Sequence, residues 1–262
     1  MSTSATVSTP QVGTVVLDGM VYVTTAYDLP TPPDTSHLIT EDETPVDSLL
    51  SEKHFRLLTE PLYSSWAGPG AGRPFLVLAN VGLFPVPRNP AIVPDVMLSL
   101  DVTGPDDMHR VRSYFVWEFG KPPDVAIEIV SNTKGGEKST KLVDYAQIGV
   151  AYYIVYDPEQ HLPGDVLEVY ELRGGRYQRL PDAWLPNVGL GVTLWHGTFE
   201  GLSATWLRWC DQGGVVIPTG AERFGMERQR ADIERQRADT ERQRAAALAA
   251  KLRELGIDPE RL

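Results

Sequence analysis

The chain is poor in cysteine. Cys210 is the only one among 262 residues, which excludes an internal disulfide and a thiolate metal site and fits a reducing cytoplasm. Long apolar runs are also missing. Nothing approaches the roughly 20 residues that a membrane-spanning helix needs, so no membrane partner is expected. The first residues, MSTSATVSTPQVG, lack the basic-then-apolar pattern of a secretory signal. Histidines are few and scattered: His37, His54, His109, His161 and His196 show no ligand spacing, which argues against a zinc site. There is no GxxxxGK[ST] stretch for nucleotide phosphates and no nucleophile elbow for a serine hydrolase. Positive charge is scarce as well, with 24 Lys+Arg against 35 Asp+Glu and a net charge of -11. The deficit lies in the body of the chain. From Ala221 onward there are 10 basic and 9 acidic residues, leaving 14 against 26 for everything before it. An acidic body repels nucleic acid at long range, so any chemistry on nucleic acid needs a cation or a local basic rim.

What is present suits one sizeable globular domain with appendages: 42% hydrophobic and 23% charged residues. Residues 1–44 are rich in Ser, Thr, Pro and Asp. VVLDGMVYVTTAY supports one strand at most, and the stretch reads mainly as a flexible arm. Apolar spacing predicts a helix from Asp47 to Tyr63, closed near Pro61. After the turn-rich WAGPGAGR, PFLVLANVGLF reads as a strand. A second runs from Ala91 to Asp101, apolar on both faces, so that Asp95 becomes a carboxylate inside a buried strand. Pro94 removes a ladder donor there, which suggests an edge strand or a bulge.

The stretch from Asp124 to Pro158 carries the strongest signal, reading strand, loop, helix, strand. Val125, Ile127 and Ile129 share one strand face; Ala126, Glu128 and Val130 share the other. A helix follows from Glu137 to Ile148 with Gly149 as its stop, and Tyr152 to Asp157 is a buried strand. VLEVYEL and RYQRL then flank Gly174-Gly175 as a hairpin.

Two acids within apolar strands, Asp95 and Glu128, each need a partner or a metal, because an unpaired buried carboxylate is costly. Converging from neighbouring strands, they would hold one divalent ion through oxygen ligands. Lys141, one turn into the helix, is placed to reach a scissile phosphate or orient a water. Lys138 lies on roughly the same helix face, and Lys134 in the preceding loop is a weaker choice. Tyr145, one turn further, is either core or a hydroxyl aimed at the site. Ser131 reads as a turn residue rather than a phosphate ligand.

From Ala221 the units ERQRADI, ERQRADT and ERQRAAA repeat every seven residues. Arg228 with Asp232, Arg230 with Glu234 and Arg235 with Asp239 stand at pairing distance on a helix. Ala245, Leu248, Leu252 and Leu255 make the clean apolar alternation. Two readings stand side by side: a charged single helix, or a short coiled coil pairing two subunits as a homodimer.

In this order the motifs resemble the Uma-type restriction endonuclease family of the PD-(D/E)XK nuclease superfamily. The matching residues are Val93-Pro94-Asp95-Val96, Pro123 to Ser131, Lys141 to Ala146, and Gly149 to Pro158, and the likeness spans about Asp47 to Leu202. The resemblance implies an α/β fold, a mixed sheet flanked by helices, with the charged C-terminal helix added. Together with composition and the repeats, it divides the chain into the arm at 1–44, a nuclease-like domain at 45–210, a linker at 211–220 and the tail at 221–262. It implies Asp95 and Glu128 as ligands of Mg2+ (or Mn2+), and hydrolysis of DNA phosphodiester bonds. The superfamily pattern also wants a lysine two residues after the second acid. That position is Val130 here, so the role passes to Lys141. An extra acid from the first helix would be Glu52. The alternative is an inactive nuclease fold acting as an interaction protein through its tail.

Overall fold

The computed structural model describes residues 12–17, 20–25, 49–70, 72–87, 90–104, 112–131 and 136–254, the first two stretches as backbone alone. The arm expected over 1–44 lies largely outside the described residues, as do Lys134 and Leu255. Where it is described it forms two paired strands rather than one: β1 (Val12–Leu17) and β2 (Met20–Thr25), an antiparallel hairpin.

The expected first helix is α1, Leu49–Ser64, within two residues of the spacing-based bounds. The apolar run after it splits into β3 (Phe75–Ala79) and β4 (Leu83–Phe84). Asn80, in the left-handed region with φ 54°, marks the break. β5 spans Val96–Leu100 and is shorter than the reading from Ala91. Pro94 and Asp95 precede the ladder, so the proline costs no strand hydrogen bond and β5 sits inside the sheet rather than at its edge. Two short elements, β6 (Tyr114–Phe115) and α2 (Val116–Phe119), interrupt what reads as one long loop.

β7 (Val125–Ile129), α3 (Thr140–Ile148) and β8 (Tyr152–Tyr156) follow the expected strand, helix and strand. α3 begins three residues later than expected because Glu137 to Ser139 form a turn, and Gly149 closes it in the left-handed conformation. β9 (Leu167–Arg173) and β10 (Arg176–Arg179) form the expected hairpin. Its two-residue turn, Gly174 and Gly175, takes φ of 58° and 76° at both positions, as the twist of the flanking strands favours.

These strands make one six-stranded sheet in the order β10-β9-β8-β7-β5-β3. All neighbours are antiparallel except β7 and β8, which are parallel. A parallel pair needs a crossover, and α3 is that crossover. The sheet separates two cores. On one face Val96, Leu98, Val125, Ile127 and Ile154 meet Leu58 and Leu62 of α1. That face is also covered by a segment with no clear periodicity: β11 (Trp184–Leu185), β12 (Leu190–Phe199) and β13 (Leu202–Cys210), a second, three-stranded sheet. Trp209 Nε1 donates to the Leu58 carbonyl at 2.7 Å and ties this sheet to α1. On the other face Met97, Ala126, Val130 and Tyr153 meet Tyr145 of α3. Glu128 belongs to this second face. Cys210 is a free thiol, buried at the end of β13.

The charged tail is α4, Gly220–Glu254, with no buried residue. Its start is built into the domain. Thr219 Oγ1 accepts the Glu222 N–H at 3.1 Å, and Glu222 Oε2 accepts the Thr219 N–H at 2.7 Å, a reciprocal capping box. The same Glu222 pairs at 2.7 Å with Arg208, whose side chain is 1% exposed. Among the described residues no helix is long and apolar enough to cross a membrane. Thr219→Ala should cost about 1 kcal/mol. Glu222→Ala should cost more, about 2–3 kcal/mol, because it also leaves the Arg208 guanidinium buried without its carboxylate. Urea unfolding measures both; equal costs would mean that the Arg208 pair contributes nothing.

Candidate functional site

The register of β5 on β7 builds the site. Val96 lies opposite Ile127 and Met97 opposite Ala126. One step beyond the ladder, Asp95 lies opposite Glu128. Opposed residues on antiparallel strands share a face, so both carboxylates project to the side covered by α3. Their roots are held differently. Glu128 is 2% exposed in the middle of a fully buried strand. Asp95 is half-buried, in the bend before β5, and its Oδ2 accepts the Ile129 N–H at 2.6 Å.

α3 supplies the other groups. Lys141 Nζ donates to Glu128 Oε2 at 2.9 Å and Tyr145 OH donates to Glu128 Oε1 at 2.6 Å. The two are one helical turn apart, so both reach down onto the same strand residue. Tyr145 is therefore core and site at once: fully buried, with its hydroxyl on the acid.

The electrostatics follow from burial. Loss of water pushes the Glu128 carboxyl up to about 8; Asp95's charge acts in the same direction, while Lys141 and the Tyr145 hydrogen bond act against it. Burial alone would pull the Lys141 ammonium down, but the charges of Glu128, Glu137 and Asp95 carry it above its ordinary value. Asp95, Glu128 and Lys141 thus stand within each other's electrostatic reach. Burial also raises the Tyr145 hydroxyl far above its usual range, with Glu128 adding to it, so Tyr145 remains a donor.

The other candidates go elsewhere. Lys138 sits in the turn before α3 and pairs with Glu168 of β9 at 3.3 Å, while donating to the Pro163 carbonyl at 2.8 Å. Glu168 also accepts the Tyr170 hydroxyl, so Lys138 belongs to a second Lys–Glu–Tyr trio. Glu128 and Glu168 flank Val155 of β8 on successive strands. Yet Glu168 is shifted down, because Tyr170, the Asp165 N–H and Lys138 outweigh its burial. Its charge is satisfied within the fold, and Lys138 serves that pairing rather than reaching Glu128. Glu52 is also remote. It pairs with Arg56 along α1 at 2.8 Å, and α1 packs on the opposite face of the sheet. A lone acid in a first helix carries no signal of which sheet face that helix covers. Ser131 is exposed at the end of β7.

Glu137 was not singled out from the sequence. It is 7% exposed, 3.5 Å from Lys141, and its Oε2 is buried with no hydrogen-bond partner. Its carbonyl accepts the Tyr153 hydroxyl at 2.9 Å. The one signal for it is its place four residues before Lys141. Among the described residues, no three His, Cys, Asp or Glu side chains gather closely enough to hold a metal between them; Glu137 stands behind Lys141 in the sense that it pairs with the lysine.

The raised Glu128 value has a signed consequence. The folded state binds this proton more tightly than the unfolded chain, whose value is near 4.5. The resulting stability is complete below about 4.5 and is lost as pH rises through about 8. Without divalent cations, the melting temperature of the wild type should fall relative to Glu128→Gln between about pH 5 and pH 9. Parallel pH profiles for the two proteins would mean that Lys141 already keeps Glu128 ionised at no cost.

The model of the Uma2 family, described as "Putative restriction endonuclease", matches residues 42–195, more than half of the chain. No curated protein and no solved structure matches it. The match begins just ahead of α1, runs through Asp95, Glu128 and Lys141, and ends within β12. By this match, on a mixed sheet flanked by helices, the chain belongs to the Uma2 restriction endonuclease family.

Proposed function

We propose that the protein hydrolyses phosphodiester bonds of DNA with a divalent cation, Mg2+ or Mn2+, held by Asp95 and Glu128. The observation that carries this is the meeting of two carboxylates from adjacent strands beside one ammonium group, with Lys141 2.9 Å from Glu128. The donor set suits such an ion. Magnesium takes one or two carboxylates, keeps several waters and shares phosphate oxygens. The repulsion between Asp95 and Glu128, which helps hold the Glu128 proton, is what a cation relieves. Bound there, the ion would polarise a phosphate and make a coordinated water more acidic.

The residues of the chain supply the rest. The Ile129 N–H orients Asp95. Tyr145 anchors one oxygen of Glu128 and so fixes the plane of its carboxylate. Lys141, a quarter exposed, offers positive charge to a phosphate as negative charge develops on it. This local charge matters because the acidic body does not attract DNA.

One observation favours a second reading. Both oxygens of Glu128 already accept hydrogen bonds from the protein, so the acid is satisfied without a metal, as in a fold that serves only as a scaffold for its tail. Plasmid DNA with Mg2+ separates the two. The wild type should cleave, Asp95→Ala and Glu128→Ala should abolish cleavage, and Lys141→Ala should slow it about 10²–10³-fold. Equal cleavage by all of them would mean a contaminating nuclease or a different site. Mg2+ or Mn2+ should also raise the melting temperature of the wild type but not of Glu128→Ala. A wild type with neither cleavage nor a thermal shift supports the scaffold.

A further inference from the structure

Beyond its anchored first turn, α4 is a long helix with no buried residue. Its 35 residues span about 52 Å at 1.5 Å each, and Met226 and Ile233 remain 50% and 41% exposed. A helix that is polar all round needs either a ladder of internal ion pairs or something to bridge to. The ladder is thin. Among the described residues, the pairs that close along α4 are Arg223 with Glu227 at 3.8 Å and Arg242 with Asp239 at 3.9 Å. The spacings of Arg228 with Asp232, Arg230 with Glu234 and Arg235 with Asp239 are not used.

Set on a seven-residue frame, the repeat sorts its residue types by position. Met226, Ile233, Thr240 and Ala247 recur at one position. Gln229, Gln236, Gln243 and Ala250 recur three residues later. None is charged, and their three-four alternation makes one continuous stripe. Asp232 and Asp239 border the stripe on one side; Arg230, Arg237 and Arg244 border it on the other.

We propose that this stripe is the seam of a parallel, in-register two-stranded coiled coil with a second copy of this chain. Charge selects the orientation. In a parallel pair each flanking acid meets the flanking base five residues further along the other helix, which sets Asp232 against the partner's Arg237 and Asp239 against the partner's Arg244. In an antiparallel pair like flanks meet, aspartate against aspartate and arginine against arginine. The seam agrees. Parallel and in register, each glutamine faces its own copy, and the two amides hydrogen-bond to each other. Antiparallel packing would press Gln229 and Gln236 against Met226 and Ile233 side chains, leaving amides unsatisfied. A seam with three glutamines gives up stability for register, so the pair is weak and concentration-dependent. The competing stripe of Phe224, Ala231, Ala238, Ala245 and Leu252 fails on charge. Three residues on from Phe224, Ala231 and Ala238 stand Glu227, Glu234 and Glu241, which a seam there would bury, and only from Ala245 onward, with Leu248 and Leu252, is that stripe free of charge.

The proposal does not depend on the nuclease reading. Sedimentation equilibrium on the full chain should give a monomer–dimer equilibrium. Asp232→Arg with Asp239→Arg, and separately Arg237→Asp with Arg244→Asp, should each weaken self-association about tenfold or more. An equimolar mixture of the two should dimerise again, because every flank then meets its opposite. Oxidising Gln236→Cys should link two chains readily, and Ala238→Cys should not. A wild type that stays monomeric at its highest soluble concentration overturns the proposal. So do charge-reversed chains that dimerise as the wild type does, or Ala238→Cys linking faster than Gln236→Cys.

Discussion

The antiparallel register of β5 on β7 sets two carboxylates, Asp95 and Glu128, on neighbouring strands, and the candidate site depends on that constraint. Asp95 and Glu128 are 33 positions apart in the chain, yet the ladder from Val96–Ile127 onward makes them cross-strand neighbours. Glu128 cannot turn away, because its strand is buried on both faces. A carboxylate in such a place is tolerated only with a proton, an opposite charge or a cation. The parallel pairing of β7 with β8 provides for the second of these. It requires a crossover, and the crossover helix lays Lys141 and Tyr145 over the acid.

The neighbouring trio of Glu168, Lys138 and Tyr170 is an internal comparison. It uses the same residue types two strands further on, and its acid is stabilised in the charged form. Glu128 differs in lying deeper and in having Asp95 at its side. One trio holds its acid in the charged form, whereas in the other burial and the charge of Asp95 favour the neutral form of the acid. Glu137, with a buried oxygen lacking a hydrogen-bond partner, stands 3.5 Å from Lys141.

The body and tail follow separate physical rules. The body buries a sheet between two cores. α4 buries nothing of its own chain, yet its first turn is anchored through Thr219, Glu222 and Arg208. That anchor fixes where the tail leaves the domain, so anything the tail binds is held at a defined place relative to the sheet.

Much of this was legible in the residues. Period-two alternation in VAIEI, the helical spacing ending at Gly149 and the Gly174-Gly175 turn are local signals with local causes, and each appears where expected. A mixed sheet flanked by helices was implied by the family's motifs. β11 to β13 escaped because β12 and β13 are buried on both faces at one end and open to solvent at the other, so no single alternation runs along them. Among the lysines, sequence spacing placed Lys138 and Lys141 on one helix face, but Lys138 falls in a turn ahead of the helix and swings to β9. The sequence by itself determined that Asp95 and Glu128 are acids set in apolar surroundings, because burial is written in the residues beside them. Only the tertiary structure decided that they meet, that Lys141 and Tyr145 cover them, and that Glu52 lies across the sheet, because strand register and the choice of sheet face are set by contacts between segments far apart in the chain.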